Sequence, residues 1–187
     1  MNKLVLQLIL ALAIGICGAF AESAVSPDGK YIVFVKTASG PTIGWGAGDE
    51  QPSELWQTDA DGGNPVLLCR THSDDDMREV VAAFKDLRFS SDGRLVYFTT
   101  PAWATSGAVH VVDTTNRNER FVCDKAIIKV ISTAQGDRLV VGKHKYDANG
   151  GYWQNFLVTA EGDELRPVGR KERQPSHAPI RYQNSVG

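Results

Sequence analysis

The 187-residue sequence has few of the residue patterns that mark a reactive centre. It contains three cysteines and four histidines, and no pair of histidines has the spacing of a metal-ligating motif. The G-x-S-x-G motif of serine hydrolases and the G-x-x-x-x-G-K-[ST] phosphate-binding loop are also missing from it. The sequence therefore offers no catalytic residue, no metal ligand and no cofactor site to assign.

An excess of charge of one sign is lacking as well. Lys and Arg number 20 against 22 for Asp and Glu, and the formal net charge is -2 at pH 7. A chain with so little net charge carries no general electrostatic argument for nucleic acid or an anionic membrane surface as a partner. We therefore expect no nucleic-acid partner.

The first 21 residues have the layout of a secretory signal peptide. Lys3 supplies a positive start, residues 4–20 form an uncharged apolar run, and residues 19–21 read Ala-Phe-Ala. Small residues at the first and third of these positions, here Ala19 and Ala21, are typical of a cleavage site. Cleavage would release an exported chain that begins at Glu22 and has no integral membrane span. Its location would be the periplasm in a Gram-negative cell. The alternative is an uncleaved anchor, since about 18 apolar residues can span a bilayer.

A ten-residue pattern occurs three times, the last time in weaker form. "SPDGKYIVFV" spans residues 26–35, "SSDGRLVYFT" spans 90–99 and "TAQGDRLVVG" spans 133–142. Each copy places a glycine turn before a β-branched and aromatic strand, and three further strand-like runs flank it. Four short strands repeated at a period of about 43 residues are typical of β-propeller blades. The pattern predicts an all-β protein of about three four-stranded antiparallel blades, at about residues 24–70, 86–124 and 126–170.

The first copy, followed by "ELWQTDADGGNPVLL", resembles the WD40-like (PD40) repeat of exported bacterial propellers. The propellers of TolB-type proteins and of some serine peptidases are built from the same repeat. The resemblance covers most of Ala24 to Gly169, and it weakens in the third copy, where Gln135 replaces the turn aspartate. It implies an exported, non-catalytic binding or scaffold module whose partner is an envelope protein or a peptide.

Three blades do not close a ring, because propellers typically have four to eight. The sequence leaves open a partial propeller, a ring completed by a homodimer, and a remnant or fragment of a larger propeller protein. A propeller-based enzyme, either a hydrolase or a lyase, is the alternative function. For such an enzyme the first strands of the repeats offer only Arg88 and Lys129 as charges near a central channel.

The sequence divides into three regions. Residues 1–21 are the predicted signal peptide, and residues 22–170 are the propeller-like domain. Residues 171–187 form a polar, proline-bearing tail. We expect this tail to be flexible, as polar chain ends commonly are, or to donate a strand to an open sheet edge.

The connections between the second and third strands of each blade are the predicted binding surface, because binding residues concentrate on variable loops. The first connection carries Trp45, the second Trp103, and the third Tyr146 and Trp153. Aromatic side chains supply large contact areas and are enriched at interaction hot spots. These four residues are therefore predicted to form a recognition patch. The alternative is that each ring packs on its own blade.

The long connection from Thr71 to Asp86 is predicted to contain a short helix. Ser73 stands where a helix N-cap would be, and the apolar residues that follow are spaced for one helix face. Acidic side chains in a first helical turn are favoured by the helix dipole. A calcium site would need the spacing D-x-D-x-D-G, which is absent here. Asp74, Asp75 and Asp76 are predicted to belong to the partner-binding surface, beside the aromatic patch, and to hold no metal. The alternative is a solvated first helical turn.

Two cysteines, Cys69 and Cys123, remain after the predicted cleavage. They stand at equivalent positions in successive repeats, on outermost strands where propeller blades fan apart. A disulfide needs Cα atoms within about 7 Å of each other. The two thiols are therefore predicted to be unpaired, and a bridge formed in an oxidising compartment is the alternative.

Overall fold

A computed structural model describes residues 22–103 and 106–173 of the chain. All regular secondary structure within these two ranges is β-strand. The predicted signal peptide and residues 174–187 of the predicted tail lie outside the described residues. In the part of the chain that is described, no helix has the length and hydropathy that crossing a bilayer requires.

Three antiparallel sheets of four strands each are built from consecutive segments of the described chain. The first sheet contains β1 (Ser23–Val25), β2 (Tyr31–Thr37), β5 (Ser53–Asp59) and β6 (Val66–Arg70), and the small hairpin of β3 (Ile43–Gly44) and β4 (Asp49–Glu50) is inserted between β2 and β5. The second sheet contains β7 (Lys85–Phe89), β8 (Leu95–Ala102), β9 (Ser106–Asp113) and β10 (Glu119–Cys123). The third contains β11 (Ala126–Thr133), β12 (Gly136–Asp147), β13 (Gly150–Thr159) and β14 (Glu164–Arg173). The predicted fold class, all-β with three four-stranded blades, is confirmed.

The repeated sequence forms the same turn in the first two sheets. The Ser26 hydroxyl donates a hydrogen bond to Asp28, and the Ser90 hydroxyl donates one to Asp92, both at 2.6 Å. The glycine that follows has φ of 74° in one turn and 75° in the other, a left-handed conformation that glycine adopts without a Cβ clash. In the third sheet Thr133 donates to a backbone carbonyl instead. The repetition in the sequence is therefore a repeated hydrogen-bonded turn.

The core consists of two apolar layers, one on each side of the second sheet. On β8, Val96 and Phe98 point into the layer shared with the first sheet, whereas Leu95 and Tyr97 point into the layer shared with the third. A strand buried on both faces reads as a continuous apolar run. Layer 1–2 contains Val33, Val35, Leu55, Leu68, Val81, Phe84, Leu87, Phe89, Val96, Phe98 and Val112, and layer 2–3 contains Tyr97, Val109, Val111, Val122, Cys123, Ile127, Leu139, Val141, Phe156 and Val158.

The connection between the first and second sheets is not the predicted helix. His72 and Val81 exchange two backbone hydrogen bonds, at 2.8 and 3.0 Å, and form an isolated antiparallel bridge. Asp74 accepts the backbone N–H of Asp76 at 2.8 Å, a local bond that competes with helix formation. Val81 and Phe84 are buried in layer 1–2. Their spacing therefore reflects an extended segment covered by two sheets, and the helix prediction is wrong.

The third sheet also differs from the prediction in two places. Strands β12 and β13 continue as a regular ladder to Asp147 and Gly150, so most of the predicted third loop is strand. Strand β14 continues to Arg173, so the first three residues of the predicted tail belong to the sheet. Arg173 donates two hydrogen bonds of 3.1 Å to Asp147 across the end of this sheet.

Candidate functional site

A row of charged residues crosses the first sheet at the end that carries the β2–β5 connection. Lys36 on β2 is opposite Glu54 on β5, and Glu54 is opposite Arg70 on β6. Their chain neighbours Val35 and Leu55 point into layer 1–2. Because side chains alternate along a strand, the charged row lies on the other face. We call the faces of the first and third sheets that point away from the second sheet their outer faces.

The carboxylate in this charged row is fully engaged by its neighbours. One oxygen of Glu54 accepts the Nε–H of Arg70 at 2.9 Å, and the other accepts the indole N–H of Trp56 at 2.8 Å. Lys36 Nζ lies 6.0 Å from the centroid of the Trp56 ring. Within the described residues Lys36 has no ion-pair partner. The row therefore presents two cations against one occupied carboxylate.

The charged row forms one side of an open groove with a volume of about 590 Å³. The β2–β5 connection forms the other side, and three hydrogen bonds fix its base. Ala38 N–H donates to Pro52 O at 2.8 Å, Thr71 N–H donates to Ser53 O at 3.0 Å, and Ser53 N–H donates to Thr71 Oγ1 at 2.9 Å. The remaining wall consists of Thr37, Ser39, Gly40, Pro41 and Ile43. The groove is therefore preformed by the fold.

Trp45 lies in the β3–β4 hairpin, next to the connection that carries the three aspartates. The backbone N–H of Trp45 donates to Gly48 O at 3.0 Å, and a Cβ on Gly48 would lie only 3.0 Å from the Trp45 ring. Gly46 is packed so close to Met77 that a Cβ there would lie 3.5 Å from Sδ. The structure therefore brings the hairpin of Trp45 and the segment following Asp74, Asp75 and Asp76 together.

The three aspartates do not converge on one point. Asp74 and Asp75 are exposed, whereas both oxygens of Asp76 bind the Arg78 guanidinium, the shortest contact being 2.6 Å. The hydrogen bonds from Arg78 lower the pKa of Asp76 to about 2. In residues 22–103 and 106–173, no three His, Cys, Asp or Glu side chains are grouped as metal ligands would be.

The other predicted aromatic residues lie on different sheets. Trp103 directly follows β8 and is half-buried, with φ of 51°. Tyr146 and Trp153 lie on the outer face of the third sheet on either side of His144, whose ring centroid is 4.7 Å from that of Tyr146 and 5.5 Å from that of Trp153. We call these three residues the aromatic strip. It lies on a strand face, whereas a loop had been predicted.

The potentially reactive side chains lie in or against the two layers, where Cys123 and His110 are buried and Cys69 is half-buried. Cys69 packs against layer 1–2 and Cys123 lies in layer 2–3, and both are free thiols, as their equivalent positions in the repeats predict. Burial raises the pKa of Cys69 to about 12 and that of Cys123 to about 11. His110 is fully buried, with Nδ1 2.5 Å from Glu119 Oε1 and its ring stacked on Phe98.

Arg88, one of the two charged residues considered above for a central channel, has a structural role. Arg88 donates to the carbonyl of Leu87 at 2.8 Å and to that of Ile128 at 3.4 Å. The second of these bonds links the second sheet to the first strand of the third. The Arg88 guanidinium therefore joins two sheets through main-chain oxygens.

Sequence reasoning missed Lys36, Glu54, Arg70 and His144. A signal for the first three was present. Lys36 and Arg70 lie within the last two residues of their strands and Glu54 within the first two of the strand between them, so an antiparallel order places all three at one end of a sheet. The alternation of apolar residues also assigns Lys36 and Glu54 to one face. Arg70 reaches that face only through a shift of register between β5 and β6, which the sequence did not show. What the sequence did not show was the groove beside them.

Comparison with known proteins gives structural similarity only. No family model and no curated protein matches the chain. The chain is similar to TolB from Acinetobacter baumannii, with 13% identity and a TM-score of 0.47 over 78% of this chain and 32% of that one. It is similar to an acylaminoacyl peptidase of Pyrococcus horikoshii, with 11% identity and a TM-score of 0.49 over 76% of this chain and 24% of that one. For a periplasmic gluconolactonase of Pseudomonas aeruginosa the identity is 12% and the TM-score 0.35, over 82% and 57%. The chain spans less than two thirds of each of these structures.

Proposed function

We propose that this chain is an exported, non-catalytic binding module of propeller type that recognises a polypeptide of the cell envelope through the groove of the first sheet. The observation that carries the proposal is the row Lys36, Glu54 and Arg70 beside an open groove of about 590 Å³. Ligand sites are typically preformed concavities of about 300–1,000 Å³ with a few oriented polar groups. The groove has this size, and its base is fixed by backbone hydrogen bonds.

The charges of the groove favour an acidic segment of polypeptide. Glu54 is neutralised by Arg70 and held by Trp56, so Lys36 and the terminal nitrogens of Arg70 remain to bind a carboxylate of the partner. Guanidinium and ammonium groups both make strong, charge-assisted hydrogen bonds to carboxylates. The opposite wall, residues 37–41, offers main-chain groups and two hydroxyls to an extended peptide. Trp45 stands on the hairpin that follows this wall.

The state of the reactive side chains supports binding rather than chemistry. The thiols of Cys69 and Cys123 have raised pKa values and are therefore protonated at neutral pH, whereas the thiolate is the nucleophilic form. The pair of His110 and Glu119 is enclosed between the first and second sheets. The carboxylate that lines the groove, Glu54, already accepts two hydrogen bonds.

The groove is tested with an array of extended peptides, acidic and neutral, probed with the purified full chain. We expect acidic peptides to bind and Lys36→Glu to weaken their binding by about 10-fold or more, which corresponds to about 1.4 kcal/mol. Lys30→Glu is the matched control, because Lys30 is an exposed lysine at the opposite end of the same sheet. Equal affinities for wild type and Lys36→Glu would reject the groove as the site.

The aromatic part of the predicted face is tested separately. Trp45→Ala should weaken binding of the same peptides if the β3–β4 hairpin contributes to the site, since Ile43 of that hairpin lines the groove. Trp103→Ala tests a contribution from the second sheet. If both variants bind the peptide array as tightly as the wild type does, Trp45 and Trp103 are not part of the binding site. Turnover of a lactone or peptide substrate by the wild-type chain would favour the enzyme alternative instead.

Export is proposed with cleavage after Ala21. The Glu22 carbonyl accepts the N–H of Val35 at 3.0 Å, so a chain that begins at Glu22 keeps this bond at the edge of the first sheet. Mass spectrometry of the protein recovered from the periplasm of a Gram-negative host should show Glu22 as the first residue. Recovery of the uncleaved chain in the membrane fraction would support an anchor.

A further inference from the structure

Four of the six large hydrophobic side chains that are exposed in the described residues belong to the third sheet. Two of them are in the aromatic strip, where Tyr146 is 67% exposed and Trp153 is 39% exposed. His144 supports both rings from between them. It lies so close to β13 that a Cβ on Gly151 would be 2.8 Å from its Nε2. The two amphipathic rings are therefore held on the outer face of the sheet, near the β12–β13 turn.

The inner face of the same hairpin, which points toward the second sheet, carries positive charge. Lys143 and Lys145 alternate along β12 with the residues of the aromatic strip, so they lie on this inner face. Lys145 Nζ is 4.3 Å from the centroid of the Phe156 ring, and it has no ion pair with any described residue. Lys171 on β14 is placed similarly, with Nζ 4.5 Å from the centroid of the Tyr152 ring. Aromatic rings therefore lie on one face of the hairpin and cations on the other.

The charge of this end of the third sheet differs from that of the whole chain. Residues 143–153 and 169–173 contain five Lys or Arg side chains and two carboxylates, whereas the formal net charge of the chain is -2. One of the two carboxylates, that of Asp147, is already bound by Arg173 through two hydrogen bonds of 3.1 Å. The turn itself, residues 148–150, carries no charge. The end of the sheet is therefore a positive region with an uncharged tip, which the net charge of the whole chain conceals.

We propose that this end of the third sheet binds the surface of a bilayer that contains anionic phospholipids. Trp and Tyr side chains favour the interface between lipid and water, and clusters of Lys and Arg are attracted to anionic headgroups. A partner that uses both the rings and the cations must contact both faces of the hairpin around its turn. A lipid surface does so when the turn enters the headgroup region, whereas a sheet or helix of a folded partner packs on one face. This surface shares no residue with the groove of the first sheet, so the inference is independent of the proposed function.

The binding is tested by sedimentation with vesicles of phosphatidylcholine, with and without phosphatidylglycerol. The protein is the soluble chain recovered from the periplasm, because the apolar residues 4–20 would bind lipid by themselves. We expect binding only to the vesicles that contain phosphatidylglycerol, and weaker binding as salt is raised, because salt screens exposed charges.

The charged part of the surface is tested by removing two cations together. Lys145→Gln combined with Arg170→Gln should weaken binding by about 30-fold, which corresponds to about 2 kcal/mol. Neither residue has an ion pair within the described part of the chain, so no carboxylate loses a partner. Lys30→Gln combined with Arg117→Gln is the matched control. It removes the same charge from exposed turns at the other end of the sheets, where the repeated turns lie, and should leave binding unchanged.

The aromatic part of the surface is tested by two further measurements. Tyr146→Ala should weaken binding by about 10-fold, because the ring no longer enters the interface. Tyr31→Ala, the matched control, changes an exposed tyrosine at the end that carries the repeated turns and should have no effect. Phosphatidylglycerol with brominated acyl chains should quench the fluorescence of Trp153, so Trp153→Phe should remove most of the quenching.

Three outcomes would overturn the proposal. The first is equal binding of the wild type to vesicles with and without phosphatidylglycerol, and the second is equal weakening by the charge variant and its control. The third is tight binding of a soluble polyanion such as polyphosphate together with unchanged vesicle binding by Tyr146→Ala, since such a partner needs the charges and not the bilayer. Circular dichroism verifies folding, and Lys171→Gln replaces Lys145→Gln if that variant does not fold. Because no peptide is present and no groove residue is changed, failure here is distinguishable from failure of the groove.

Discussion

Gly162 offers the most discriminating test of how the second and third sheets pack. It lies in the β13–β14 turn with φ of 105°, and a Cβ on it would overlap the carbonyl of Val122 on β10. Gly62 is its equivalent in the first sheet, with φ of 88° and no atom within 4 Å of a Cβ. The N–H of each glycine donates to the residue three positions earlier. Alanine at Gly62 therefore tests backbone conformation alone, and alanine at Gly162 adds a clash between two sheets.

The expected magnitudes follow from these two costs. A left-handed conformation costs a non-glycine residue about 1–2 kcal/mol, so Gly62→Ala should lower the free energy of unfolding by about that amount. Forcing atoms into a packed contact costs about 1–3 kcal/mol more. The relief of this clash requires movement of the Val122 backbone, because the two nearest atoms are its carbonyl oxygen and carbon. Gly162→Ala should therefore cost about 2–5 kcal/mol.

The assay is urea unfolding followed by tryptophan fluorescence, with both variants at the same protein concentration. The slope of the unfolding free energy against urea concentration should be the same for both variants, since each exposes the same surface when it unfolds. If Gly62→Ala and Gly162→Ala lower the free energy of unfolding by amounts that agree within about 0.5 kcal/mol, the β13–β14 turn does not pack against β10. The packing of the third sheet on the second would then be different from the one described.

Further predictions concern the two layers. Cys69 and Cys123 should resist alkylation at neutral pH in the folded protein and react fully in urea, as counted by mass spectrometry, and equal rates in both states would contradict their burial. Burial places the folded pKa of Cys69 and Tyr97 at about 12 and that of Cys123 at about 11, above the ordinary 9.0 for cysteine and 10.0 for tyrosine. The folded state therefore holds these protons more tightly than the unfolded state. The urea midpoint should not change through these groups below pH 9, and it should fall between pH 9 and 12. A urea midpoint that stays constant between pH 9 and 12 would contradict the pKa shifts. Phe98→Ala, which removes a fully buried ring 4.9 Å from Phe84, should cost about 3–5 kcal/mol in urea unfolding, and a loss below 1 kcal/mol would be inconsistent with layer 1–2.

The strands and turns of this protein were predictable because their causes are local. The turn of Ser26 and Asp28 is made by side chains that bond within five residues, so the same letters produce the same turn wherever they recur. The alternation around Val33 and Val35 assigns one face to the core by the geometry of the strand alone. The unpaired thiols also followed from their equivalent places in successive repeats.

The candidate site was predictable only in part, because it depends on contacts between distant segments. Trp45 was predicted from its loop, whereas the groove exists because three strands place Lys36, Glu54 and Arg70 in one row. Likewise, the aromatic strip required the register that sets His144 beside Trp153.

The sequence by itself determined the repeated four-stranded unit, since turn chemistry and the two-residue period of a strand act over a few residues. Only the tertiary structure decided what the apolar residues after Asp76 would do. Their spacing suits a helix, but Val81 and Phe84 lose more contact with water as an extended segment between two sheets. This burial depends on surfaces formed by distant parts of the chain, so it cannot be predicted from local helix and strand propensities.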